Sequence, residues 1–268
     1  MRLPIYQVDA FADAVFTGNP AAVVPLESWL PDETLQAIAM ENNLAETAYF
    51  VRSGEGRSGD GYDLRWFTPT VEVDLCGHAT LASAFVIATI LEPGRERIDF
   101  TTRQAGVLTV TRSGDLYTLD FPCRPPEPLA EAPAGLLEAL GGPKPVALLK
   151  SRDVLVVYED AAAVSSLAPD MAALAKIEGF AVNVTAPGSG GVDFVSRFFA
   201  PGQGIPEDPV TGSAHCTLIP YWAARLGKDR LEARQISARG GALSCELAGD
   251  RVKIGGRGVL FLEGAIHI

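Results

Sequence analysis

Hydrophobic and polar positions along the chain fall into short blocks, and two of these blocks predict helices with almost no polar face. The first follows Cys76-Gly77-His78, where Leu81, Ala82, Ala84, Phe85, Val86, Ile87, Ala88, Ile90 and Leu91 leave little for water to touch. A helix apolar all round is buried on all sides. The second opens at Thr211-Gly212-Ser213-Ala214 and runs through Leu218, Ile219, Tyr221, Trp222, Ala223, Ala224 and Leu226 to a stop at Gly227, with Pro220 expected to kink it. Each helix start leaves unpaired backbone N–H groups and a partial positive charge, which suits an anion.

Between these helices the pattern is mostly that of strands. Ile5–Phe11, Ala21–Val24, Glu46–Val51 and Asp63–Phe67 precede the first helix, and Arg97–Thr102, Gly106–Thr111 and Leu116–Phe121 follow it. Pro31-Asp32-Glu33-Thr34 starts a helix whose expected inner face is Leu35, Ile38 and Ala39, with Met40 beside them. Ser53–Gly61 is a polar, glycine-rich loop or hairpin. Prolines 122, 125, 126, 128 and 133 crowd one stretch, the best candidate for an interdomain linker. Beyond it come a short helix at 134–140, strands at 146–149 and 154–158, a helix at 169–177, strands at 179–185 and 193–199, and short strands from 232 onward.

The order of elements repeats. Arg65-Trp66-Phe67-Thr68-Pro69 leads to Cys76-Gly77-His78-Ala79 and an apolar helix; Arg197-Phe198-Phe199-Ala200-Pro201 leads to Thr211-Gly212-Ser213-Ala214 and another. The repeat predicts an α+β chain of two pseudo-symmetric domains, 1–122 and 123–258, facing each other across a cleft, each many-stranded around one helix that aims its start into that cleft.

Composition narrows the function. The 268 residues carry 33 acidic against 22 basic side chains, a net charge of -11. Nucleic acid and anionic membranes need clustered cations, so neither is an expected partner. The run Ala79–Leu91 is too short for a bilayer span, and Met1–Asp9 lacks the form of a signal peptide, so a soluble cytoplasmic protein is expected. Four cysteines show no disulfide or CxxC spacing, and three scattered histidines show no usual metal spacing, so no metal is expected.

Several blocks together resemble the PhzF-like (phenazine biosynthesis-like) family: Asp9-Ala10-Phe11, Thr17-Gly18-Asn19-Pro20-Ala21-Ala22-Val23, Asn43-Leu44-Ala45-Glu46-Thr47-Ala48, Leu64-Arg65-Trp66-Phe67-Thr68-Pro69, Cys76-Gly77-His78-Ala79-Thr80 and Glu207-Asp208-Pro209-Val210-Thr211-Gly212-Ser213-Ala214-His215. The resemblance implies a diaminopimelate epimerase-like fold, each domain a curved sheet or barrel around its central helix, with the last strand, 259–268, able to return to the first domain. It implies a cofactor-independent isomerase, a homodimer, acting on a small carboxylate-bearing substrate. It carries the catalytic glutamate onto Glu46 and further catalytic roles onto His78 and Asp208. Substrate binding would fall to Asn19, Gly77, His78, Gly212 and Ser213.

Each assignment competes with a plainer one. Glu46 alone reads as a turn acid or exposed strand residue, but alternation with Leu44, Ala48 and Phe50 turns its carboxyl toward the core. The helix dipole disfavours a charged His78, predicting a neutral donor and acceptor. Asp208 and Ser213 suit turn and cap duty, Asn19 and Asn43 suit loops, and Arg65 and Arg197 suit structural pairing. Cys76 stands where an epimerase of this fold carries one of two thiols, but its counterpart is Thr211, too weak an acid or base to replace a thiolate. An isomerase moving one proton by a single carboxylate is therefore favoured over an amino-acid racemase or a non-catalytic ligand-binding protein.

Overall fold

The computed structural model describes residues 1–54, 60–177, 179 and 181–268. Most of the expected Ser53–Gly61 loop and Phe180 of the expected 179–185 strand lie outside the described residues. The chain divides into two compact units, Met1–Asp120 with Gly255–Ile268, and Phe121–Ile254.

Unit 1 contains β1 (Arg2–Ala10), β2 (Asn19–Leu26), α1 (Asp32–Asn42), β3 (Glu46–Arg52), β4 (Tyr62–Phe67), β5 (Glu72–Val73), α2 (Gly77–Val86), β6 (Arg97–Thr102), β7 (Val107–Ser113) and β8 (Leu116–Pro122), which runs two residues past its boundary. β1 pairs antiparallel with β2, β2 parallel with β3, β3 antiparallel with β4, and β4 parallel with β6. Residues 46–50 are buried without a break, because β3 is covered on both faces. Tyr49 and Phe67 point to the side of α1, where they pack with Val24, Leu35 and Ile38, and the Tyr49 hydroxyl donates to the Leu35 carbonyl at 2.7 Å; Met40, expected on the same face, is exposed instead. Glu46, Ala48 and Phe50 share the opposite face, on the side of α2. That helix continues as a π-helical turn over Ile87–Leu91, which the apolar pattern does not foretell.

Unit 2 contains β9 (Glu127–Pro128), α3 (Leu136–Leu140), β10 (Ala147–Lys150), β11 (Val154–Val157), α4 (Ala161–Ser165), α5 (Met171–Leu174), β12 (Val182–Pro187), β13 (Phe194–Ala200), β14 (Ile205–Asp208), α6 (Gly212–Leu226), β15 (Arg230–Gln235), β16 (Gly241–Ala248) and β17 (Arg251–Gly256), whose last two residues belong to unit 1. The proline-rich stretch is no free tether, since Glu127 and Pro128 pair with Lys150 and Leu149. The helix expected at 169–177 is cut to α5 at 171–174, and α4 at 161–165 is a further short helix outside that range; each is capped by an aspartate, Asp160 accepting from the Ala163 amide and Asp170 from the Ala173 amide. Val156, Val184 and Phe199 face these short helices. Thr185 and Phe194 face α6, the Trp222 indole donating to the Thr185 hydroxyl at 3.0 Å and stacking on Phe194. Pro220 lies inside α6 without ending it.

β18 (Gly258–His267) belongs to unit 1 and runs antiparallel to β1, from Arg2↔His267 to Ala10↔Gly258, with a register shift that leaves Phe261 as an extra residue. Among the described residues no helix is long and apolar enough to cross a membrane.

Both units use the same arginine device. Arg65 lies over the Phe67 ring at 4.9 Å, makes two bonds of 2.7 Å to the Glu72 carboxylate and a third to Asp32. Arg197 lies over Phe199 at 4.9 Å, grips Glu207 through two bonds and donates to the Val164 and Leu167 carbonyls. Bidentate carboxylate pairing and ring stacking are what guanidinium does best. Both arginines are structural, as their sequence positions suggest.

Candidate active site

In unit 1 the start of α2 meets the start of β3 and the start of β2. Cys76 is the N-cap, extended and with no side-chain cap bond, while its carbonyl accepts from both the Thr80 amide and the Thr80 hydroxyl. That turn fixes Gly77 and sends the His78 ring toward the sheet. The Glu46 carboxyl arrives from β3, with His78 Nε2 3.0 Å from Glu46 Oε2. Asn19 arrives from β2, its Nδ2 3.1 Å from His78 Nδ1, and Cys76 Sγ lies 3.5 Å from the same nitrogen. Asn19 is held at the mouth of a tight connection: Gly18 has φ +68°, and a Cβ there would meet the Ala10 carbonyl oxygen at 2.3 Å.

The contact between Glu46 and His78 is close but poorly directed. At 3.0 Å the two atoms fall short of hydrogen-bond geometry, and among the described residues Glu46 Oε2 and His78 Nε2 have no other hydrogen-bond partner. Both side chains are buried, at 10% and 5% exposure, and an unmatched polar atom there is costly. Burial alone would lower the His78 pKa, but its acidic neighbours Cys76 and Glu46 outweigh that and raise it well above the usual histidine value. Burial, then the Glu46 charge, pushes the Cys76 thiol itself up to about 11. Near neutral pH the thiol stays protonated, and Glu46 is the charge that favours the imidazolium. The expectation of a neutral His78 is thus corrected, because an acid at contact distance overrides the helix dipole.

Ligand atoms of Glu46, Cys76 and His78 all lie within 4.8 Å of one another, a grouping that motif spacing did not reveal. Each ring nitrogen already faces a different neighbour, Nε2 toward Glu46 and Nδ1 toward Cys76 and Asn19.

Unit 2 gathers the remaining candidates. Thr211 caps α6, and its hydroxyl donates to Asp208 Oδ2 at 2.5 Å. The Gln235 side chain accepts from the Thr211 amide at 2.9 Å and donates to the Asp208 carbonyl at 2.7 Å. Thr211, not Ser213, is therefore the N-cap. Gly212 opens the helix and Ser213 follows, its hydroxyl 3.3 Å from an Arg152 nitrogen. His215 Nδ1 lies 2.8 Å from the Thr211 carbonyl. Burial drives its pKa down to about 4, and the bond to Thr211 recovers only part of that. Sequence reasoning missed Gln235 and Arg152, since nothing local to either points to the helix start they serve. Asn43 takes loop duty, capping α1 in the left-handed region at φ 49°.

Comparison with known proteins fits this picture. Residues 8–264 match the family model described as phenazine biosynthesis-like protein. An uncharacterized isomerase of Pseudomonas aeruginosa is 55% identical over 268 residues, covering all of both chains. The crystal structure of a PhzF-family phenazine biosynthesis protein from Enterococcus faecalis superposes with a TM-score of 0.94 at 48% identity over all of both chains. A hydroxyproline epimerase of Agrobacterium vitis, 12% identical with a TM-score of 0.59 over 99% of this chain and 92% of its own, shares the fold alone. With a match running almost end to end, the chain belongs to the phenazine biosynthesis-like (PhzF) family.

Proposed function

We propose that this protein is an isomerase that shifts a proton within a small carboxylated substrate, with Glu46 as the acid and base. The carboxylate takes a proton from one carbon and returns it at another position of the same conjugated system as the double bond moves. No atom is gained or lost. The observation that carries this reading is the buried Glu46–His78 contact, 3.0 Å long, with neither Oε2 nor Nε2 satisfied by the protein. A carboxylate kept from water and left unmatched is free to bond to substrate. The isomerase name carried by the Pseudomonas aeruginosa relative supports the reaction class.

In this reading His78 orients the substrate and holds the proton balance of Glu46. Asp208 assists proton traffic, and Asn19, Gly77, Gly212 and Ser213 bind substrate. The motif match supports those roles. The matched Arg65–Glu72 and Arg197–Glu207 devices support an origin of the two units by duplication. A thiol pair finds no support, because Thr211 stands at the second position and gives its hydroxyl to Asp208.

The test is native mass spectrometry of Glu46→Gln after incubation with a cellular metabolite extract, followed by presentation of the retained molecule to the unaltered enzyme. The expected result is a carboxylate held by the variant and converted by the enzyme into an isomer of identical mass. Conversion by the variant at an undiminished rate, or a product of different mass, would sink the proposal.

A further inference from the structure

Two groups beside the Glu46–His78 pair take no part in the proton shift itself: the Asn19 amide and the Cys76 thiol. Both face one atom, His78 Nδ1, at 3.1 and 3.5 Å, while Nε2 on the other edge of the ring faces Glu46. Asn19 is fully buried and Cys76 almost so. They approach from different elements, β2 and the N-cap of α2.

Counting protons shows what such an arrangement does. When ring and carboxyl together hold two protons, Nδ1 bears a hydrogen, whether the ring is cationic beside a carboxylate or neutral beside a carboxylic acid. When they hold one, on Nε2 toward Glu46, Nδ1 is a bare acceptor. A fixed donor or a fixed acceptor at Nδ1 would match one of these conditions and penalise the other. An amide presents either its NH2 or, after a half turn, its oxygen, and a thiol can donate S–H or accept at sulfur. Neither brings a charge of its own near neutral pH. The titratable groups that bear on the ring, among the described residues, are Glu46 from β3 and Cys76 itself.

We infer that Asn19 and Cys76 are positioning residues that act through His78, a pair of reversible partners at Nδ1 that keeps the ring hydrogen-bonded whether the Glu46–His78 pair holds one proton or two. This rests on the proposed role of Glu46, and it gives Cys76 a task other than carrying the proton. It also makes Asn19 a partner of the acid–base machinery in addition to any contact with substrate.

The experiment is 15N NMR of the imidazole nitrogens across pH, with no substrate present. Three histidines make the spectrum tractable, and His78→Gln identifies the His78 signals. Asn19→Asp places a charged, permanent acceptor at Nδ1 and is expected to raise the His78 midpoint by about one pH unit or more. Cys76→Ser keeps a reversible donor and acceptor and is expected to hold the midpoint of the unaltered protein. Cys76→Ala is expected to displace it by roughly half a unit. If Asn19→Asp does not fold, the two Cys76 variants decide alone. Equal midpoints in Cys76→Ser, Cys76→Ala and the unaltered protein, or an unmoved midpoint in a folded Asn19→Asp, overturn the inference. Because no turnover is read, that result leaves Glu46 as the proton carrier untouched. Undiminished turnover by Glu46→Gln would remove the proton carrier whatever the midpoints show.

Discussion

Two buried histidines, each in the first turns of an apolar helix, carry opposite electrostatic shifts. His78 in unit 1 is raised well above its ordinary pKa, and His215 in unit 2 is lowered to about 4. Burial and the helix dipole push both down, so neither accounts for the difference. What differs is the company. His78 has the Glu46 carboxyl at 3.0 Å, whereas His215 has a backbone carbonyl, which accepts a hydrogen bond but brings no full charge. The neighbouring chemistry follows the same split. At Thr211 the hydroxyl, amide and carbonyl are each engaged, by Asp208, Gln235 and His215, and form a structural knot. Among the described residues one ring nitrogen of each histidine, Nε2, stays unmatched, but only at Cys76-Gly77-His78 does an unmatched carboxylate oxygen lie beside it, and function needs such incompleteness.

The comparison can be broken at several points. The largest effect is expected at Glu46, where replacement by Gln keeps the size of the group and removes its base. Turnover of the identified substrate should fall by about a hundred- to ten-thousand-fold while a cooperative urea transition shows the variant still folded. Next comes the pH dependence of stability. His215 has a folded pKa below its unfolded value near 6.5, so the unfolded chain binds more protons between about 4 and 6.5. Its contribution is complete above pH 6.5 and is lost as pH falls to 4, a change on the order of 3 kcal/mol that urea titrations at several pH values would detect. His215→Gln should flatten that slope. His78 has the opposite sign, contributing fully below about pH 6.5 and losing that contribution as pH rises through its elevated folded value, a slope that Glu46→Gln should reduce.

A smaller effect is expected at the knot in unit 2. Thr211→Val keeps the shape of the cap but removes the hydroxyl's bonds to Asp208 and Gln235, at a cost of about 1–3 kcal/mol by urea denaturation, while Thr211→Ser should recover most of it. The smallest concerns thiol reactivity. Cys76 is buried and its thiol pKa lies near 11, so alkylation by iodoacetamide at neutral pH should be slow, with the partly exposed Cys123 modified first. Rapid labelling of Cys76 by peptide mass mapping would mean that its surroundings open in solution.

Much of this architecture was legible in the residues. The unbroken apolar run after His78 foretold α2, the two Arg-x-Phe blocks foretold matched arginine pairings, and alternation about Ala48 turned Glu46 inward. What escaped was long-range or cooperative. Asn19 reaches His78 across 59 positions, and Gln235 reaches Thr211 across 24, with no local signal at either end. Motif spacing assumes ligands that share one helix face or one loop, and Cys76, His78 and Glu46 combine an N-cap, a first turn and a strand end. The charge of His78 was misjudged because the dipole is local and visible in sequence, whereas the acid that overrides it comes from another strand. The helix expected at 169–177 is shortened to 171–174, its start fixed by the Asp170 cap, and the short helix at 161–165, capped by Asp160, was not foreseen.

The pairing of β1 with β18 bears on how the protein is made. Unit 2 is continuous, 121–254, and all of it leaves the ribosome before β18 does. β1 is synthesised long before β18, yet one of its two edges stays open until β18 arrives, with Arg2 meeting His267. The usual order, in which the N-terminal unit of a nascent chain closes first, is reversed here. Between the synthesis of β1 and that of β18 the nascent chain carries an exposed strand edge, able to pair with any passing strand. Chaperone demand and aggregation during synthesis should therefore concentrate on unit 1, the unit that houses Glu46 and His78.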